Sequence, residues 1–161
     1  MSARATGGVP HVAASDCERI HPGLIGQPAN TISSLAFVAA AVPIAQAARN
    51  PNRRAWLAVA AAAALEGLGS VAYHGPGGRQ AKRLHDVGIV ALVGSMAVAV
   101  ASEGTPVHRR PRTAKLATAA VALHALSRTG GPLCSCRSPV QGHALFHVLA
   151  AAALAAAAQR R

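Results

Sequence analysis

Three histidines sit at spacings suited to binding one metal ion. His143 and His147, in GHALFH, are four residues apart, one helical turn, so their imidazoles share a helix face. His74 closes the run GLGSVAYH four residues after Ser70, again on one face. Three imidazoles with a fourth position left to water form the ligand set of an open, catalytic zinc site, whereas a structural site fills all four positions with protein. Zinc in such a site lowers the pKa of water to about 7 and polarises a carbonyl. A carboxylate to take the water's proton and a hydroxyl to steady the developing oxyanion would complete a hydrolytic set. Asp86, in LHDV, and Ser70 are the residues expected in those two catalytic roles, with zinc on His74, His143 and His147.

The elements that must position these groups are helices in a bilayer. Of the 161 residues, 52% are hydrophobic and only 13% charged, and the charges cluster between long Ala/Val/Leu runs instead of marking one face of amphipathic helices. Arg, Pro and Gly punctuation delimits five apolar segments, at about 31–48, 55–74, 85–102, 114–127 and 141–158. The expected fold is all-α, a polytopic membrane bundle of about five transmembrane helices. A polar N-terminal segment carrying a DCE motif (1–30) precedes the helical domain (31–158), and a basic C-terminus (159–161) follows it. Mean hydropathy is only +0.31 because Ala dominates the runs, so a soluble Ala-rich bundle is the competing architecture. Segment 114–127 is short and either tilts, thins the bilayer or inserts partly. Pro43 falls inside the first segment, where a membrane helix tolerates a kink.

Topology then gathers the candidates. The second segment ends at His74 and the third begins near Asp86, so both lie on one side of the membrane. Two further crossings bring the chain back to that side at His143. The N-terminus lies there too. The opposite side receives nine basic residues (Arg49, Arg53, Arg54, Arg109, Arg110, Arg112, Lys115, Arg160 and Arg161) against seven (Arg4, Arg19, Arg79, Lys82, Arg83, Arg128 and Arg137). The positive-inside rule therefore puts the C-terminus in the cytoplasm and the N-terminus outside, in a plasma or inner membrane. No apolar core of a signal peptide stands in the first 21 residues, so no cleavage is expected and the first helix directs insertion. Cys17, Cys134 and Cys136 all fall on the outer side, where a disulfide from Cys17 to Cys134 or Cys136 competes with unpaired thiols. The net charge of +11 contacts head groups and sets orientation; with no basic face and no recognition module, nucleic-acid binding is excluded.

Four blocks, in order, resemble the alkaline ceramidase family, within a wider group of seven-helix membrane hydrolases that includes the adiponectin and progestin receptors. They are DCE at Asp16–Glu18 followed by PANTISSLAF from Pro28; GLGSVAYH; LHDV; and GHALFH. The resemblance implies zinc at His74, His143 and His147, Asp86 as proton acceptor and Ser70 at the oxyanion. The family has seven helices; losing two between the third and the last preserves the side from which the last one starts. Its calcium site has counterparts here only in Asp16, Glu18 and Asn30, with Gln27 where a carboxylate is expected, so calcium binding should be weak at best. Asp16 and Glu18 otherwise read as solvated loop charges.

Two residues lie outside the resemblance. Glu66, one turn deeper on the Ser70/His74 stripe, is either an outer partner orienting His74, a proton relay, or a protonated core acid. His85 points roughly 100° away from Asp86 around the helix and reads as a rim residue or an outer partner, and His124 as a rim residue too. Trp56 reads as an interfacial anchor. The expectation is a hydrolase cleaving an amide in a membrane lipid, ceramide-like or another N-acyl lipid. A metal-binding receptor or scaffold and a small metal or proton transporter are the alternatives.

Overall fold

The computed structural model describes residues 14–50, 53–103 and 111–159. Arg4, Arg109, Arg110, Arg160 and Arg161 of the charge count lie outside the described residues. Five α-helices follow a short 3-10 turn at Ala14–Asp16: α1 (Pro28–Ala47), α2 (Ala55–His74), α3 (Arg79–Ser102), α4 (Pro111–Leu126) and α5 (Gly142–Ala158). The all-α architecture and the five segments are as expected, with α3 starting six residues before its apolar run. Three helices, α1, α2 and α3, are long and apolar enough to cross a membrane, whereas α5 is apolar but only 17 residues long. α4, of 16 residues, carries Arg112 and Lys115 in its first turns.

Large apolar side chains point outward along the helices, among them Val42, Val90, Val93, Val98 and Val121, each more than half exposed. Polar side chains point inward: Gln27, Asn30, Ser34, Ser70 and His74 are fully buried. A soluble bundle distributes these the other way, so the outward surface is that of helices compatible with a bilayer.

α2 is the hub. It packs between α1 and α3, α1 also packs on α5, and α5 carries α4, so neighbours run α3–α2–α1–α5–α4. No comparable packing joins α3 to α4, and an apolar cavity of about 580 Å³ opens between them. At the end of the bundle away from His74, Arg53 Nε meets Glu103 Oε1 at 2.7 Å, and Trp56 Nε1 donates to the same oxygen at 2.9 Å. Arg53 also donates to the carbonyl of Ala158 at 2.6 Å, tying α2, α3 and α5 together. Trp56 is thus not an interfacial anchor: it is fully buried, because Glu103 gives its indole N–H an interior partner.

At the other end the segment 15–27 lies across the bundle as a cap. Its backbone pairs with the end of α2 (Gln27 N to His74 O, 2.9 Å; Gly26 N to Gly75 O, 2.9 Å) and with the α4–α5 loop (Arg19 N to Cys136 O, 3.2 Å; Thr129 N to Ser15 O, 3.0 Å). Those carbonyls of α2 would otherwise be left without helical partners. A Cys17–Cys134 disulfide closes the same junction and leaves Cys136 as a free thiol. Two of the three sulfurs are therefore bonded to each other and do not form a thiolate metal site.

Candidate metal centre

Each of the three histidines arrives on a separate piece of local logic. α2 runs unbroken to His74 and stops there because Gly75 leaves helical geometry. α5 begins at Gly142, so His143 and His147 occupy its first two turns on the inward face. α1 packs between α2 and α5 and brings the α2 terminus against the α5 terminus. The result is His74, His143 and His147 at 0%, 5% and 1% exposure, each with a ring nitrogen within 4.8 Å of the others'. These residues could hold a metal ion.

The hydrogen bonds around the cluster decide which nitrogens face one another. Gln27 Nε2 donates to the carbonyl of Glu18 at 2.9 Å, which turns Gln27 Oε1 toward His74 Nδ1 at 2.6 Å. A carbonyl oxygen can only accept, so His74 carries its proton on Nδ1 and presents the Nε2 lone pair. His147 Nδ1 lies 2.9 Å from Ser33 Oγ and 3.4 Å from Ser34 Oγ. The Ser34 hydroxyl donates to the carbonyl of Asn30 at 2.6 Å, and both serines stand on the Nδ1 side of the ring, which leaves Nε2 on the side away from them. Three buried imidazoles thus crowd one small space, where neutral ring nitrogens are suited to ligating a metal ion. Outer partners that fix the tautomer in this way accompany histidines that ligate metals. His143 completes the set, with Asp16 Oδ1 4.0 Å from its Nδ1.

The other expected site residues fall in different places. Asp86 does not reach the cluster: it is exposed and pairs with Lys82, one turn earlier on α3, at 2.6 Å. The 100° separation of His85 and Asp86 holds, but the inward member is His85. It begins the stripe that continues through Gly88 and Leu92 to Ala99, the face of α3 buried in the bundle. Gly88 at i+3 from His85 is the signal in the sequence that marks this face. Ser70 lies beneath the cluster, fully buried, and bonds to Ser34 Oγ at 2.8 Å. Since Ser34 spends its own proton on Asn30, Ser70 is the donor in that bond and does not line the cavity; its proton is committed to the scaffold and not to an oxyanion.

Two of the expected calcium residues, Glu18 and Asp16, have partners of their own. Glu18 is not a solvated loop charge: its two carboxylate oxygens accept the backbone N–H groups of Ala29 and Asn30 at 2.8 Å each, capping α1 at its first free donors. Gln27, the N-cap residue, makes no cap bond because its side chain is diverted to His74. Asn30 turns its amide toward Gln27 at 3.4 Å. Asp16 is buried and faces Arg128, at 3.7 Å, and His143. Burial holds its carboxyl above the ordinary range, with Arg128 opposing.

Glu66 and His85 instead meet each other, Glu66 Oε1 lying 2.9 Å from His85 Nδ1. Both line the apolar cavity, which His143 and His147 also border. His124 borders it from α4, its ring 5.4 Å from that of His143 and 4.7 Å from that of Phe146. The roles missed from the sequence are those of Gln27 and Ser33, the outer partners of His74 and His147. No protein-family model, curated protein or solved structure matches the chain.

Proposed function

We propose that this chain is an integral membrane hydrolase that uses zinc, held by His74, His143 and His147, to cleave an amide bond in a lipid of the N-acyl, ceramide-like class. The observation that carries the reading is the convergence of three buried imidazoles, His74, His143 and His147, with ring nitrogens within 4.8 Å of one another at the end of an apolar cavity. Zinc bound there would polarise the substrate carbonyl and make water acidic enough to attack it. The protein's own residues do the rest. Gln27 and Ser33 orient two ligands through their Nδ1 atoms, and Phe37, Leu92, Met96 and Leu154 give an acyl chain an apolar bed. The unpacked side between α3 and α4 lets that chain enter laterally. The amide preference and the ceramide-like class rest on the resemblance of the DCE, GLGSVAYH, LHDV and GHALFH blocks.

The site lies at the end of the bundle that also carries the disulfide, which favours an oxidising compartment for that end, hence N-terminus outside and C-terminus cytoplasmic. Transport fits less well, because the Arg53–Trp56–Glu103 cluster closes the far end of the bundle and the space between is apolar. The test is turnover of fluorescent N-acyl and O-acyl lipids by the purified protein in mixed micelles. Hydrolysis of the N-acyl lipid that is lost on chelation and restored by zinc is expected. A zinc-loaded protein that cleaves neither lipid would instead be a receptor or scaffold.

A further inference from the structure

With Asp86 pointing away and Ser70 committed to Ser34, the hydrolytic site described above lacks a group to take the proton of the attacking water. One buried pair in the cavity is so far without a role. Glu66 rises from α2 and His85 from α3, with their side chains 5% and 14% exposed. Two glycines set the register that joins them. A Cβ on Gly69 would stand 3.0 Å from the backbone N and Cα of His85, and a Cβ on Gly88 would stand 2.8 Å from the Cα of Glu66. Each helix thus presents a glycine where the other presents a member of the pair, and only that double cradle allows α2 and α3 to approach this closely. The His85 ring is stacked on Tyr73 (centroids 4.9 Å, planes 11° apart) and edge-on to His74 (6.2 Å). It is therefore fixed in orientation one ring away from a metal ligand.

We infer that His85, oriented by Glu66, is the proton acceptor of this site. The inference rests on the hydrolase reading above. Glu66 Oε1 lies 2.9 Å from His85 Nδ1 and favours the proton on that nitrogen, leaving Nε2 as the basic atom. The ring N–H does not yet point straight at the carboxylate, since Nδ1 makes no well-aligned hydrogen bond. Such contacts commonly tighten only when substrate is in place. As the water oxygen bonds to the carbonyl carbon, its proton passes to His85 Nε2; as the C–N bond breaks, the same proton leaves on the amine nitrogen. Glu66 is a positioning residue. Its second oxygen, Oε2, is buried and has no hydrogen-bond partner, so the contact that orients the carboxyl group is the one to His85.

The experiment compares full-length wild type with His85→Ala, His85→Gln, Glu66→Gln and Asp86→Asn, reading zinc content, kcat and KM on the fluorescent N-acyl lipid, and the imidazole tautomer of His85 by 15N NMR. His85→Ala and His85→Gln should keep their zinc and lose about 10²- to 10⁴-fold in kcat with little change in KM, and added imidazole should restore part of the activity of His85→Ala alone. Glu66→Gln should lose about 10- to 100-fold and the preference of His85 for the Nδ1–H form. Asp86→Asn should match wild type. A His85→Gln protein that turns over at the wild-type rate, or a wild-type His85 protonated on Nε2, would overturn this inference alone. Failure of the zinc-loaded wild type to hydrolyse any acyl lipid would overturn the hydrolase reading and this inference with it.

Discussion

The two ends of the bundle bury polar groups in opposite ways. At the end away from His74, opposite charges and donors meet: the Glu103 carboxylate accepts from both Arg53 and Trp56, and Arg53 reaches on to the carbonyl of Ala158. At the other end, like groups meet. Three imidazoles converge, and Gln27, Ser33 and Asp16 approach them from outside the cluster. Buried polar groups that satisfy one another hold a fold together; three buried imidazoles that face one another could hold a metal ion. The first end is a clasp and the second a candidate receptacle, and their mutants should fail differently.

The largest expected effect is at the clasp. Arg53→Ala leaves the Glu103 carboxylate, 2% exposed, without its cation, and should cost about 3 to 5 kcal/mol of stability. Thermal unfolding in detergent should show the drop, while the zinc content of the folded fraction stays at the wild-type value. A matching loss of zinc would mean that the two ends are not separable. Gln27→Ala should do the reverse. It removes the acceptor that holds His74 Nδ1–H and should weaken metal affinity about 10- to 100-fold in a competition titration, with the helices intact. Smallest is Glu18→Ala, which strips α1 of its cap and should cost about 1 kcal/mol. If Glu18 were instead a calcium ligand, added calcium would raise the melting temperature of wild type and not of this variant; no such difference is expected.

Much of this contrast can be read from residues alone, and what cannot has a physical reason. Five helices, and the side on which His74, His143 and His147 meet, follow from apolar runs and from counting crossings. Spacing also places Glu66 on the stripe of His74. Spacing does not say which face of a helix turns inward when two adjacent residues are both polar, so LHDV alone favours Asp86 by its charge. The choice of His85 depends on Gly88, and on α2 presenting Gly69 opposite it, a fit between two surfaces. Gln27 and Ser33 escape for a similar reason. Gln27 is 47 residues from His74 and Ser33 is 114 from His147, and no periodicity links them. Glu103 is likewise 47 residues from Trp56, and without it that tryptophan reads as a surface anchor. The Cys17–Cys134 pairing is one of two open to Cys17, and only the cap laid over the α4–α5 loop distinguishes them.

Metal analysis of the purified wild-type protein beside His143→Ala tests the central claim most directly. Wild type should carry about one zinc per chain and His143→Ala much less, with helical content by circular dichroism unchanged, since the site is a receptacle and not the clasp. Equal zinc in both proteins, or none in a wild-type protein purified without chelators, would contradict it.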